Sequence, residues 1–176
     1  MKHKSTNNGF TLIELLMTLA LLAILVSIAA PSMGEFVREN RAATQTNQFV
    51  TTLNLARSEA VKRGAIVSVC RSADSETCAD GDDWSVGWVI FEDDNQNSGG
   101  APVLGDPDDV IRAWGSLGDS TVLRRTNNRQ IRFDPRGAVT HGNAIEFELH
   151  IAGYEGVYDR EIAVRGSGQI RSKRVE

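Results

Sequence analysis

Three features at the front of the chain could do chemistry together. They are a Gly9-Phe10 junction, the short basic leader ahead of it, and the carboxylate of Glu14 four residues beyond Phe10. Hydrolysis of the Gly9–Phe10 bond would strip off residues 1–9, with Lys2 and Lys4, and leave an α-amino cation on Phe10. That cation and the Glu14 carboxylate would then lie at nearly the same depth of one apolar segment. An ordinary secretory signal is cut after its apolar run. Here the small-residue junction precedes the run, so cleavage keeps the apolar segment on the mature chain.

The element that must position these groups is residues 10–30. Between Phe10 and Ala30 only Thr11, Glu14, Thr18 and Ser27 are clearly polar. A helix of about 21 residues spans about 31 Å, the thickness of a bilayer's hydrocarbon core. Lys2 and Lys4 predict that the leader stays cytoplasmic and that the bulk of the chain is exported. A carboxylate at the centre of a membrane helix costs about 2.5 to 3.5 kcal/mol and is tolerated where it has a partner. A plain single-span anchor with an incidental glutamate leaves the Gly9-Phe10 junction unexplained.

Residues 31–63 read as the continuation of this helix in amphipathic form. Pro31 removes a backbone donor and predicts a kink. Phe36, Ala43, Thr46, Phe49 or Val50, Leu53, Ala56 and Ala60 recur every three or four residues as an apolar stripe. The spacing predicts one helix from about Thr11 to Arg63, stopped by Gly64. Residues 64–176 read as one β-rich domain. Strands are predicted at Ile66–Cys70, Trp88–Glu92, Val110–Trp114, Val122–Arg125, Gln130–Phe133, Ile145–Ile151 and Arg160–Val164, with an edge strand at Gln169–Arg171. Ile145, Phe147, Leu149 and Ile151 alternate with Glu146, Glu148 and His150, so one face of that strand is buried. The fold class is α+β: a long N-terminal helix, its first half transmembrane, packed on an antiparallel sheet or sandwich.

The front of the chain, Lys4-Ser-Thr-Asn-Asn-Gly-Phe-Thr-Leu-Ile-Glu14, resembles the class III signal of type IV pilins and type II secretion pseudopilins. Four further segments resemble the GspH/FimT branch of that superfamily. They are Leu55–Arg63, Val69-Cys-Arg71, Gly87–Asn95 and the closing Gly-x-Gly-Gln-Ile-Arg from Gly166 to Arg171. The resemblance implies a pilin-like fold and a filament subunit rather than an enzyme. It implies that a prepilin peptidase cuts at Gly9 and methylates the amino group of Phe10. It also implies that Glu14 pairs with the Phe amino group of a neighbouring subunit during assembly. The implied location is the bacterial inner membrane, single-pass with the C-terminal domain in the periplasm, and afterwards the filament. The implied partners are other pilin or pseudopilin subunits.

Cys70 and Cys78 fall in the exported part, where an oxidising compartment makes a disulfide the default reading. Two thiols without companions make a poor metal site, since the histidines are only His3, His141 and His150. The acidic runs Asp80–Asp83, Asp93–Asn97 and Asp106–Asp109 offer oxygen ligands. Asp93, Asn95 and Asn97 even mimic the start of an EF-hand loop, but glycine comes late at Gly99 and the twelfth position is Leu104. These runs read as solvated turns. No nucleophile elbow, zinc-protease helix or phosphate loop is present. The sequence thus predicts no enzyme activity, no metal, no cofactor and no small-molecule substrate.

A formal charge of −4 excludes a surface that is basic throughout. Local cations still cluster at Arg124, Arg125, Arg129, Arg132 and Arg136, and at Arg165, Arg171, Lys173 and Arg174. Some FimT-type minor pilins hold DNA through a Gly-Arg-x-Arg-like tail; the counterpart here begins Gly168-Gln169, a partial match. A flexible arm with these cations could track phosphates without reading sequence. The alternative is a solvated edge strand. Three functional readings follow: a minor pilin built into or priming a type IV pilus, a GspH-type pseudopilin acting in type II protein export, and a DNA-binding pilin of natural transformation.

Overall fold

The computed structural model describes residues 10–93, 110–125, 130–140, 144–154 and 159–175, without the side chains of residues 29–32. A long helix, α1, runs Leu12–Arg63. Its head is capped by Thr11, whose Oγ1 accepts the Glu14 N–H at 3.2 Å. Its end is set by Gly64, at φ +66°, whose N–H closes on the Ala60 carbonyl at 3.0 Å. The helical assignment passes through Pro31, whose side chain lies outside the described residues. The chain forms two compact units, Met1–Arg38 and Glu39–Glu176.

Among the described residues of the second unit eight strands follow the helix. They are β1 (Val67–Arg71), β2 (Trp88–Glu92), β3 (Val110–Trp114), β4 (Thr121–Arg125), β5 (Ile131–Phe133), β6 (Ile145–Ile151), β7 (Arg160–Val164) and β8 (Ile170–Arg174). They pair antiparallel in two sheets, ordered β3-β2-β1-β5 and β4-β6-β7-β8. The helix from Ala42 onward buries its apolar stripe against inward residues of both. Ala42, Phe49, Leu53, Ala56 and Ala60 join Val67, Val69, Trp88 and Ile90 of the first sheet and Leu123, Phe147, Leu149, Ile162 and Val164 of the second. Phe49 is the common point. Its ring meets Trp88 at 5.0 Å, Phe147 at 4.7 Å and Trp84 at 6.0 Å, each edge to face.

The observed stripe differs from the predicted one at its start. Ala42, not Ala43, is fully buried, and Phe36 is exposed. Counting 3.6-residue turns back from Phe49 reaches residues 45 and 42; the predicted Thr46 is buried beside Gln45, so the predicted register is a residue late only at Ala43. Gln45 fills one of these positions by donating to the Leu117 carbonyl at 2.9 Å and accepting from Thr121 Oγ1 at 2.8 Å.

The connection from β1 to β2 is a strap across both sheets. Cys70 and Cys78 are disulfide-bonded, and the pair covers Val89 and Phe91 on the outer face of the first sheet. Arg71 then holds the returning chain, donating to the carbonyls of Asp83 at 2.7 Å and Asp80 at 2.8 Å. Asp83 caps the 3₁₀ turn Trp84–Val86, which delivers Trp84 into the core. The strap continues onto the second sheet. Asp83 bridges Arg124, and the Arg125 N–H donates to the Asp82 carbonyl at 3.0 Å.

Candidate functional site

The head of α1 gathers the predicted processing and assembly residues. Phe10 is the first described residue and is 86% exposed; Gly9 lies outside the described residues. Glu14 is in the first helical turn, where a carboxylate favours the positive end of the helix dipole. Thr11 and Glu14 together have the spacing of a capping box, which gives Glu14 a purely local role. That role does not account for its surroundings. Leu12, Ile13, Leu15, Leu16, Met17, Leu19, Leu21, Leu22, Ile24, Leu25, Val26 and Ile28 are all more than half exposed, so the segment is apolar on every side. The two hydroxyls Thr18 and Ser27 turn back onto the carbonyls of Leu15 and Ile24, at 2.8 and 2.7 Å, and present little polarity outward. Among the described residues α1 is the one helix long and apolar enough to cross a membrane. Such a surface is stable only in lipid or against like surfaces.

The family-like segments prove to be structural joints. Arg57 Nε donates to the Gly137 carbonyl at 2.9 Å, and a Cβ on Gly168 (φ +76°) would lie 1.8 Å from the same oxygen. The helix end, the turn after β5 and the turn before β8 therefore close on one point that only glycine fits at position 168. Glu59 accepts from Arg63 at 2.7 Å, and Arg63 reaches Glu92 of β2 at 2.9 Å. The Arg63 hydrogen bond is the chief cause holding the Glu59 carboxyl below its ordinary range. On the outer face of the first sheet, Asp93 Oδ2 accepts from Ser68 at 2.8 Å and from Arg132 Nε at 2.7 Å. Asp93 and Arg132 are buried, so this is a structural ion pair, not a phosphate-binding cation. Sequence reasoning missed it, and missed Trp84; a tryptophan set among turn formers was the available signal.

The basic C-terminus is ordered differently from the flexible arm considered above. Residues 170–174 form β8, which pairs with β7 over its whole length. Val164 opposite Ile170 continues the apolar layer, and the Gly168 turn sets the register. Arg165, Arg171, Lys173 and Arg174 are exposed, and Lys173 is 3.1 Å from Glu161. Of the central arginines, Arg125 is buried with its guanidinium over Trp84 and Phe147, whereas Arg124 is exposed; Arg129 lies outside the described residues. His150 sits 2.8 Å from Asp159 on the polar face of β6, while His3, His141, residues 94–109 and their acidic runs lie outside the described residues. Among the described residues no group of three His, Cys, Asp or Glu could hold a metal ion.

Comparison with known proteins agrees with this arrangement. Residues 45–168 match the family model of the type II transport protein GspH, and residues 4–30 match the prokaryotic N-terminal methylation motif. No curated protein matches the chain significantly. The fold is similar to the type IV minor pilin FimU of Pseudomonas aeruginosa, at 18% identity and TM-score 0.59, over 78% of this chain and 92% of that one. It is also similar to the minor pseudopilin EpsH of the Vibrio cholerae type 2 secretion system, at 15% identity and TM-score 0.50, over 76% and 97%. With one model spanning most of its length and the other spanning its apolar head, the chain belongs to the GspH family of type II transport proteins and carries the N-terminal methylation motif.

Proposed function

We propose that this chain is a minor subunit of a type IV pilus. It is made as a prepilin, cut between Gly9 and Phe10 by a prepilin peptidase and methylated on the new Phe10 amino group. It waits in the bacterial inner membrane with the unit Glu39–Glu176 in the periplasm. The single observation that supports this most is an apolar, all-exposed helical segment carrying one carboxylate a turn after the processing junction. As the segment leaves lipid for the filament, the same surface that faced acyl chains faces the segments of other subunits. Glu14 then has a cation to meet: the amino group of a neighbour's first residue. In a low-dielectric setting an unpaired carboxylate is costly, and the pair lowers that cost only when a neighbour is seated correctly. The carboxylate thus sets the register of addition.

Glu14→Leu tests this directly. Membrane insertion is expected to persist while the amount recovered in sheared filaments falls at least tenfold; undiminished recovery would refute the docking role. Replacing Gly9 by leucine should leave only the uncut chain in the membrane, and normal trimming of that variant would move the junction elsewhere.

The GspH family match and the EpsH-like fold favour a second reading, the equivalent pseudopilin of a type II secretion system. The helix, the joints and the strap serve either filament. Deleting the gene separates the two: loss of surface pili points to the first, loss of exported enzymes with normal pili to the second.

A further inference from the structure

The outer strand of a sheet leaves every second backbone N–H and C=O without a ladder partner, and this fold answers that at one edge of each sheet. Beside β5 the chain returns at Val139, which bridges Phe133, and the Thr140 N–H donates to the Arg132 carbonyl at 3.0 Å. Beside β4 the strap closes the edge through the Asp83–Arg124 bridge and the Arg125 N–H. The orders β3-β2-β1-β5 and β4-β6-β7-β8 leave β3 and β8 as the open ends among the described residues. Residues 171–175 are all exposed, although β8 pairs with β7 over its whole length. That pairing decides which backbone groups point outward. The Arg165 N–H donates to the Gln169 carbonyl at 2.9 Å, and the Val175 N–H to the Asp159 carbonyl at 3.1 Å. Hydrogen-bonded pairs alternate along an antiparallel ladder, so Arg171 and Lys173 bond β7 while Ile170 and Ser172 turn their N–H and C=O groups outward.

Outward groups two residues apart are a template for an added strand. The side chains decide which strand fits. Arg171 and Lys173 stand on the outer face, with Arg165 at the turn before them. On the inner face Ile170, opposite Val164, packs on the core. The matching segment is extended, with carboxylates beside Arg171 and Lys173 and an apolar side chain beside Ile170. A second copy does not supply it among its described residues. β8 against β8 would set like charges side by side, and the other open strand, β3, holds Arg112 and no acidic residue. We propose that the β8 edge takes an acidic β-strand from a different, non-identical subunit of the filament. The proposal rests on the filament reading above and adds the edge used and the chemistry of the partner.

The alternative occupant of a basic edge is a nucleic-acid backbone, and it answers this edge less fully. Phosphates accept hydrogen bonds and donate none, so the outward carbonyls of Ile170 and Ser172 would stay unmatched. No aromatic residue stands in β8 to stack a base, and Lys173 is already 3.1 Å from Glu161. An added strand supplies both donors and acceptors and can meet the cations singly. The same cations keep identical edges apart, which is the usual protection of an open strand. They thus select the partner, while the backbone ladder holds it.

The test uses the full-length chain. In detergent the probe is a synthetic peptide of alternating glutamate and valine. It is expected to slow amide exchange at Ile170 and Ser172 about tenfold and to leave Arg171 and Lys173 unchanged, whereas a lysine–valine peptide protects neither. Arg171→Glu should abolish that protection, and the milder Arg171→Gln should fall between, which separates a charge effect from misfolding. In cells that assemble the filament, Ser172→Pro removes an outward N–H and spares the β7 ladder, so recovery in sheared filaments is expected to fall about tenfold with chain level and the Cys70–Cys78 bond unchanged. A photocrosslinking residue at position 172 should join an acidic segment of a different filament subunit. Absence of protection by the acidic peptide overturns the proposal, as does undiminished recovery of Ser172→Pro. A crosslink to a second copy, or protection that rises with chain concentration alone, overturns it by giving the edge to identical subunits. Protection by duplex DNA and not by the peptide overturns it by making the edge a phosphate site. Glu14→Leu run in parallel reports on the filament reading alone. Undiminished recovery there removes that reading, whatever the peptide does at β8.

Discussion

The two ends of α1 are built from similar aliphatic residues and treat them in opposite ways. From Leu12 to Ile28 every large apolar side chain is more than half exposed. From Ala42 to Ala60 the stripe Ala42, Phe49, Leu53, Ala56 and Ala60 is wholly buried. The later residues have their partners in the same chain, so their burial stabilises the fold. The early residues are exposed among the described residues, so their burial remains available for lipid and for other subunits. On the filament reading proposed above, one helix thereby separates stability from assembly along its length, and substitutions should separate the same way.

The largest expected effect breaks the comparison at its centre. Phe49→Ala removes the ring shared by Trp84, Trp88 and Phe147, and should cost about 3–5 kcal/mol, measured by urea unfolding of the solubilised chain. Leu22→Ala deletes an equally apolar side chain that is 55% exposed, and should leave that transition within about 0.5 kcal/mol. Equal losses from the two would mean that the early segment is packed within the chain after all.

The next effect sharpens the contrast by loosening the packed unit without touching the helix. The disulfide closes a loop of separation 8 in sequence, worth about 2.5 kcal/mol in the chain-entropy model. Cys70→Ser with Cys78→Ser should lose about that much and should uncover Val89 and Phe91. Membrane fractionation should be unaltered. If the double variant left the unfolding midpoint in place, the strap would be held by Arg71 and the Trp84 anchor alone.

How far the sequence could be read follows from the same contrast. Local signals carried well. Trp88–Glu92, Val110–Trp114, Ile145–Ile151 and Arg160–Val164 are strands with the bounds expected from alternation and turn residues. Gly64 ends the helix because a left-handed residue is needed there. Signals that depend on distant partners did not carry. Asp93 looks like one more turn acid until Ser68 and Arg132 close on it from two neighbouring strands. Arg125 looks like one cation of a basic cluster until Trp84 and Phe147 cover it. The edge strand expected at Gln169–Arg171 runs on to Arg174, although Arg171, Lys173 and Arg174 offer no apolar alternation, because its ladder is fixed by the β7 backbone rather than by buried side chains. The head of the helix is legible for a different reason: residues 4–30 match the N-terminal methylation motif as an ordered run of residue types, which needs no distant partner to be read.

The smallest effect is confined to the strap and carries a pH signature. Asp74 accepts from the Thr77 hydroxyl at 2.5 Å, from the Thr77 N–H at 2.8 Å and from the Glu76 N–H at 2.9 Å. The Thr77 side-chain bond first, then these backbone donors, hold its carboxyl well below the ordinary range. A depressed folded value stabilises the loop fully above the unfolded carboxylate range, near pH 4, and that stabilisation drains away as pH falls toward the folded value. Protection of the Glu76 and Thr77 amides, measured relative to intrinsic exchange at each pH, should therefore be level above about pH 4 and should fall on further acidification relative to amides of β6. Asp74→Asn keeps an acceptor oxygen but removes the titration, so its protection should be weaker and flat across the same interval. Protection that grew on acidification would reverse the sign and show that the carboxylate is held in its protonated form. Because Asp74 is exposed and its partners lie within three residues, neither the unfolding midpoint of the whole unit nor the membrane partition of Leu12–Ile28 should shift measurably between the two proteins.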